Sequence, residues 1–234
     1  MKKFLQTASV GLIASSFAFA ANAMEIVFDE PVGPDTIAPS ISFGDLTVTA
    51  GYSSSNLCCG TDFEFADINA ADVWHDASPA NGGLGVGSGL DEDTDNFEGS
   101  LGGNPNADEV LFFDFGRDIN LREVTLNAGD DPGHQDKFDA EATDVFDIFL
   151  SNDGQTYTSI FGANTAPTDG ELLTLPGLGV EGQYFAVAHV GPTADNGSVG
   201  GYIEKVEYAN VPEPGTLTLF GLGIAGLRLS RRRR

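Results

Sequence analysis

The stretch DEDTDNFE carries the residues best suited to bind a metal ion. Asp91, Asp93 and Asp95 stand at alternate positions, with Glu98 three residues further on. Alternating carboxylates open the calcium-binding loops of proteins. The stretch is not an EF-hand loop, because its sixth residue is Asn and its twelfth is Gly, where an EF-hand needs Gly and Glu. Two interpretations remain open: another kind of calcium loop with Glu98 as a further ligand, or a solvated acidic loop.

Catalytic patterns are weak in this chain. The three histidines, His75, His134 and His189, show neither HExxH nor HxH spacing. The serine of GVGSG lacks the glycines two residues to either side that a nucleophile elbow requires. Carboxylate pairs of the glycosidase type can be drawn in many ways among 35 acidic residues, so no single pair is informative. We therefore expect no catalytic residues and no enzyme.

The first 23 residues have the layout of a secretory signal peptide. Two lysines precede an apolar run over residues 10–20, and the segment closes on Ala21-Asn22-Ala23, the small-x-small pattern of a signal peptidase site. We expect cleavage after Ala23, which makes Met24 the first mature residue.

The other end, residues 212–234, has three parts. Pro212-Glu213-Pro214 comes first, followed by a Gly-containing apolar stretch over residues 215–230. This stretch is shorter than the roughly 20 apolar residues of a usual membrane helix, but it still permits a short transmembrane crossing. The chain ends on a basic cluster that would hold this end in the cytoplasm, formed by Arg231, Arg232, Arg233 and Arg234.

This order of parts resembles the PEP-CTERM sorting signal of Gram-negative bacteria. The resemblance implies recognition by the membrane protease exosortase, transient insertion in the inner membrane and removal of the tail, much as a GPI signal is removed. It also implies a final location at the cell surface or in the extracellular matrix.

Residues 24–211 are strongly acidic. They contain 34 acidic residues against four basic ones, a net charge of −30. Such a body repels nucleic acid and anionic lipid. It suits divalent cations or a hydrated exopolysaccharide layer, and equally it suits simple solubility outside the cell.

Two further features lie in this body. Cys58 and Cys59 are adjacent, and oxidation is expected in an exported protein. A disulfide between neighbours closes a strained ring, so a cross-link to another chain is the alternative. Trp74 is the one tryptophan and could stack on a sugar ring, although a tryptophan of this kind is more often part of the core.

Strand patterns dominate the body, and no stretch sustains a helical period of apolar residues. Asn152-Asp153-Gly154 between two apolar runs predicts a hairpin. The Gly-rich residues 81–109 predict a long loop. About 188 residues suffice for one domain, and we expect an all-β, two-sheet antiparallel β-sandwich. The predicted strands cover residues 46–50, 110–115, 121–128, 144–151, 155–161, 184–190 and 202–208.

Two short motifs refine the fold. An apolar strand ends in Asp114-Phe115-Gly116, and the hairpin reads Ser151-Asn152-Asp153-Gly154 before an aromatic residue. These motifs, and the late strand pair after them, resemble the jelly-roll of discoidin-like, galactose-binding-like domains. A shared fold does not fix a ligand.

Together these features predict an exported, exosortase-sorted, non-enzymatic protein of the cell surface or matrix. Its expected partners are signal peptidase and exosortase during processing and, at its destination, exopolysaccharide or calcium. The alternative is a secreted carbohydrate-active enzyme held at the cell envelope.

Overall fold

A computed structural model describes ten stretches of the chain within the compact unit Asn22–Val211. The stretches are residues 23–28, 35–55, 57, 62–77, 82–87, 108–127, 145–162, 164–165, 172–190 and 202–211. Several predicted features lie outside them: most of the signal peptide including Ala21, the cysteines Cys58 and Cys59, the acidic residues Asp91, Asp93, Asp95 and Glu98, and the tail from Pro212 to Arg234. No helix among the described residues is long and apolar enough to span a membrane.

The described residues form β-strands and one short 3₁₀ turn, Phe65–Asp67. The strands are β1 Ala23–Val27, β2 Thr36–Ala38, β3 Ser40–Phe43, β4 Leu46–Ser53, β5 Phe63–Glu64, β6 Asn69–Asp76, β7 Gly83–Gly87, β8 Asp108–Asn127, β9 Val145–Ser151, β10 Thr156–Ser159, β11 Asn164–Thr165, β12 Leu172–His189 and β13 Tyr202–Asn210. All their pairings are antiparallel.

The strands follow one continuous path, β1-β13-β7-β6-β4-β8-β12-β9-β10-β5. The long strands β8 and β12 each belong to both layers of a sandwich. Residues 108–114 of β8 pair with β4, whereas residues 119–127 pair with β13. Between these halves lie three exposed residues that begin with Gly116, whose φ of 67° favours glycine. The expected antiparallel β-sandwich is confirmed, and its layers are joined through these bent strands.

The main core lies between the layers. Side chains from both halves of β8 pack into it, including Leu111 and Phe113 before the bend and Leu121 and Val124 after it. The alternation along each strand sends every second residue to this core, as the two-residue period of a strand requires. The core is therefore one cluster shared by both layers.

A second, smaller core covers the outer face of the layer that holds β4, β9 and the first half of β8. Val110, Phe112 and Phe149 point outward into it and are buried by Leu57, Phe63 and neighbouring side chains. Leu57 and residues 62–68 thus lie over the sheet, because the sheet presents large apolar groups on this face. This covering segment shapes the site described below.

Three expectations about the strands were wrong in detail. Gly83–Gly87 lies in the predicted long loop but forms β7, because Leu84 and Val86 alternate with the glycines and are buried in the core. Residues 110–115 and 121–128 were expected as separate strands, yet they belong to the single bent strand β8. β12 also begins at Leu172, well before the predicted residue 184.

Candidate functional site

An exposed aromatic ring marks a groove on the outer face. Phe65, in the 3₁₀ turn, keeps 40% of its surface exposed. Two cavities of about 500 Å³ and 260 Å³ meet at this residue and share Thr49 and Phe112 with it. We call the two cavities together the groove. The larger is within the size range of small-molecule sites in proteins.

Close backbone approach places Phe65 there. Gly51 of β4 has no side chain, so the segment that follows the turn lies directly on the sheet; a Cβ at Gly51 would come within 2.8 Å of the Asn69 carbonyl oxygen. The Phe65 amide donates a hydrogen bond of 2.7 Å to the Gln155 carbonyl. The Phe65 ring packs edge-on against Phe112 with centroids 5.0 Å apart. The ring is therefore fixed in place despite its exposure.

Aromatic side chains form the floor of the smaller cavity. The Tyr157 ring is stacked on Phe63 at 5.2 Å and meets Phe112 edge-on at the same distance. Burial, reinforced by the negative charge of Asp114, raises the pKa of the Tyr157 phenol well above its ordinary value. Tyr157 consequently remains neutral at physiological pH.

A tight turn brings the first carboxylate into the smaller cavity. Gly154 has a φ of 70°, which closes the predicted hairpin between β9 and β10. Asp153 Oδ1 accepts hydrogen bonds from the amides of Thr156 (3.0 Å) and Gln155 (2.8 Å) and from the Ser151 hydroxyl (3.0 Å). These bonds, the Thr156 amide foremost, lower the pKa of Asp153. Asp153 is thus held ionised.

The second carboxylate of this cavity comes from the bend of β8. Asp114 Oδ1 accepts hydrogen bonds from the Gly116 amide (2.8 Å) and from Gln183 Nε2 (2.9 Å). Asp114 and Asp153 belong to the two motifs that suggested a jelly-roll, and the fold brings both motifs to one cavity. The sequence did not identify either residue as part of a site.

The larger cavity has a mixed lining. Asn69 and Asp72 of β6 contribute an amide and a carboxylate, and Pro39, Ile68 and Gly87 contribute apolar surface. Hydrogen-bonding groups therefore lie on both sides of the exposed Phe65 ring.

No Lys or Arg of the described stretches lines the groove. In the described part of the chain the basic side chains form ion pairs away from it. Arg117 contacts Asp45 at 3.3 Å, and Arg122 contacts Glu207 at 3.9 Å. Lys205 joins two carboxylates, those of Glu25 at 3.3 Å and Glu123 at 3.5 Å. The described residues that line the groove therefore include three acidic ones, Asp72, Asp114 and Asp153, and no basic one.

The sequence-predicted site residues are placed as follows. Trp74 lies in β6, partly buried, opposite Ile37 of β2 and Gly85 of β7, and it does not line the groove. Its proposed contact with sugar stays a prediction. Within the described residues, no three His, Cys, Asp or Glu side chains are placed to hold a metal ion. The calcium loop at Asp91 to Glu98 lies outside these residues.

A buried carboxyl group lies under the covering segment. Asp108, at the start of β8, is fully buried. Its Oδ2 accepts a hydrogen bond from the Leu57 amide, whereas its Oδ1 has no hydrogen-bond partner in the described part of the chain. Burial raises the pKa of Asp108 from 3.8 to about 7, and the Leu57 amide offsets only part of this rise. Neither the composition nor the spacing of the sequence pointed to this residue.

Comparison with known proteins identifies the tail. Residues 210–234 match the family model of the PEP-CTERM protein-sorting motif, which confirms the assignment made from Pro212-Glu213-Pro214 and the arginines. The match begins at the last residue of β13. The motif indicates export and processing toward the cell surface. No curated protein shows significant sequence similarity to the chain.

Solved structures similar to this chain include CBM32 domains and domains of chitobiases, all at low sequence identity. The C-terminal domain of a chitobiase from Bacteroides fragilis has 15% identity and a TM-score of 0.38, with 74% of this chain and 98% of that domain covered. A CBM32-5 domain from Clostridium perfringens, solved with GalNAc-β-1,3-galactose, has 13% identity and a TM-score of 0.36, with coverages of 74% and 99%. A fragment of a candidate chitobiase from Bacteroides thetaiotaomicron has 12% identity and a TM-score of 0.35, with 46% of this chain and 64% of that fragment covered. The chain therefore spans less than two thirds of that fragment.

Proposed function

We propose that this chain is a non-enzymatic protein of the cell surface or extracellular matrix of a Gram-negative bacterium, and that its body binds polysaccharide in the groove around Phe65. Signal peptidase removes residues 1–23, and exosortase acts at the Pro212-Glu213-Pro214 motif while the tail is inserted in the inner membrane. The mature body then resides in the exopolysaccharide layer.

The sorting motif supports the location. A short apolar stretch followed by four arginines holds the C-terminus at the membrane with the arginines inside. Because β13 ends at Asn210, the motif begins almost directly after the folded body. The strongly acidic body suits a hydrated matrix, and its charge opposes contact with nucleic acid or anionic lipid.

The exposed Phe65 ring in its polar groove carries the binding proposal. One face of a pyranose ring presents C–H groups, which pack on an aromatic ring, whereas its edge presents hydroxyls that donate and accept hydrogen bonds. The groove offers both: an exposed ring fixed against Phe112, and carboxylates, amides and hydroxyls on either side of it. Preformed sites of mixed lining are typical of small-molecule recognition.

A glycan array with the processed protein tests this proposal. We expect binding to at least one polysaccharide, and loss of that binding in Phe65→Ala. Ile37→Ala is the matched control, since Ile37 is also an exposed apolar residue (51%) but does not line the groove. Equal binding by Phe65→Ala and the unaltered protein would refute the groove as the site.

The same polysaccharides test the alternative of an envelope-held enzyme. The proposal expects bound glycans to be recovered uncut after long incubation. Release of reducing ends that is lost on Asp114→Asn or Asp153→Asn would favour the enzyme, because both carboxylates line one cavity and glycosidases use such pairs. We also propose that a structural calcium ion is bound by Asp91, Asp93, Asp95 and Glu98. Trp74 is proposed as a further contact with the sugar.

A further inference from the structure

We infer that the preferred occupant of the groove is a polysaccharide that carries free amino groups, such as a glucosamine polymer, and that the groove disfavours polyuronates and sulfated chains. This inference rests on the proposed polysaccharide binding and adds the class of glycan.

Carboxylates lie on both sides of the Phe65 ring. Asp72 lines the larger cavity, and Asp114 and Asp153 line the smaller one. Among the residues that the structure describes, no Lys or Arg lines either cavity. A glycan that stacks on Phe65 thus has an anionic group of the protein on either side of it.

Hydrogen bonds orient the two carboxylates of the smaller cavity. Asp153 is held by two backbone amides and a hydroxyl, which lower its pKa, so it remains ionised even in mildly acidic surroundings. Asp114 is held by the Gly116 amide and by Gln183. Because these oxygens are already oriented, a ligand ammonium need not order them on binding.

The hydrogen-bonding groups of the groove also favour a ligand with amino groups. Carboxylates only accept hydrogen bonds, and an ammonium group only donates them. A uronate or sulfate on the ligand would also only accept, and it would meet like charge in the groove. The neighbouring Tyr157 is neutral, and the described basic residues are engaged in ion pairs elsewhere. The −30 body adds a longer-range attraction for cations that salt screens.

Calorimetric titration with three hexasaccharides tests the inference. The full chain is produced with its signal and tail, and the processed protein is titrated with hexaglucosamine, hexa-N-acetylglucosamine and hexaguluronate at low and high salt. We expect hexaglucosamine to bind most tightly, hexa-N-acetylglucosamine less tightly and hexaguluronate most weakly. High salt should reduce the difference in affinity between the first two.

Two variants locate the effect. Asp72→Asn keeps the shape of the side chain and removes its charge, as does Asp114→Asn. Because ion pairs at exposed sites contribute little, each variant should reduce the ratio of amino to acetylated affinity by about two- to fivefold. Glu181→Gln is the control, since Glu181 is exposed on β12 and does not line the groove.

The outcomes separate the inference from the proposed function. The inference is wrong if the acetylated and amino forms bind equally tightly. It is also wrong if Glu181→Gln lowers the ratio of amino to acetylated affinity as much as Asp72→Asn and Asp114→Asn do. Either result would leave polysaccharide binding itself unaffected. Tightest binding of the uronate, with or without calcium, would also overturn the inference. If none of the three binds, and the glycan array finds no ligand either, the proposed function itself fails.

Discussion

Asp108→Asn should stabilise the protein above neutral pH and have little effect near pH 4. The unfolded chain releases the Asp108 proton near pH 3.8, whereas the folded chain keeps it until about pH 7. Between these values the folded state binds more protons, so the free energy of unfolding falls as the pH rises. The stability that the folded protein gains from keeping the Asp108 carboxyl protonated is fully present below about pH 3.8 and is lost as the pH rises through about 7.

The magnitude follows from the width of this window. A rise of about three pKa units, at 1.36 kcal/mol each, amounts to about 4 kcal/mol. Asparagine has the same shape and can still accept the hydrogen bond from the Leu57 amide through its oxygen. The variant therefore avoids the ionisation cost while it keeps the contact that anchors the covering segment.

Urea denaturation at pH 4, 5.5, 7 and 8.5 measures the effect. The difference in unfolding free energy between Asp108→Asn and the unaltered protein should grow with pH and level off above pH 7 at a few kcal/mol. The control Asp118→Asn, an exposed acid on the same strand, should give a small difference at each pH. A difference for Asp108→Asn that does not change with pH would refute the assigned cause.

Three other predictions concern processing, metal and packing. Glu213→Ala should leave export intact but stop tail removal, so that an inner-membrane form about 2 kDa heavier accumulates in pulse-chase gels; normal trimming would contradict the sorting role of Glu213. Millimolar calcium should raise the melting temperature, and Asp93→Ala should abolish the rise; a rise retained in the variant would indicate general charge screening instead. Gly51→Ala should cost about 1–3 kcal/mol in urea denaturation, because its methyl group would collide with Ile68 and the Asn69 carbonyl; unchanged stability would show that residues 68–69 can shift without cost.

Local sequence patterns predicted β4, β8, β9, β10, β12 and β13, and missed the other described strands. The alternation in residues 46–50 marks β4, and the run from Asp144 to Ser151 marks β9. The Asp153-Gly154 turn closes the expected hairpin because glycine adopts positive φ there. These features depend only on neighbours in sequence.

The strand β7 was missed although its alternation is visible in the sequence. Its three glycines favour a loop by composition, and only the buried Leu84 and Val86 between them indicate a strand. Whether such a segment forms a strand depends on both of its partners, and one of them, β13, lies more than 100 residues further along the chain.

The groove could not be predicted from the sequence alone. Thr49, Phe65, Phe112 and Gln155 come from four separate segments, and long-range strand register alone brings them together. Trp74, the more obvious candidate by residue type, lies elsewhere. The burial of Asp108 could not be predicted from the sequence either, because it is caused by the covering segment and not by the residues next to Asp108 in the chain.

Chemical-shift mapping of the isotope-labelled processed protein, titrated with oligosaccharides cut from the exopolysaccharide of its own cells, tests polysaccharide binding in the groove most directly. The account predicts dose-dependent shifts concentrated at Phe65, Asn69, Asp72, Asp114 and Gln155, with these shifts absent in Phe65→Ala. Shifts that cluster away from the groove, or a spectrum that does not change at millimolar oligosaccharide, would contradict it.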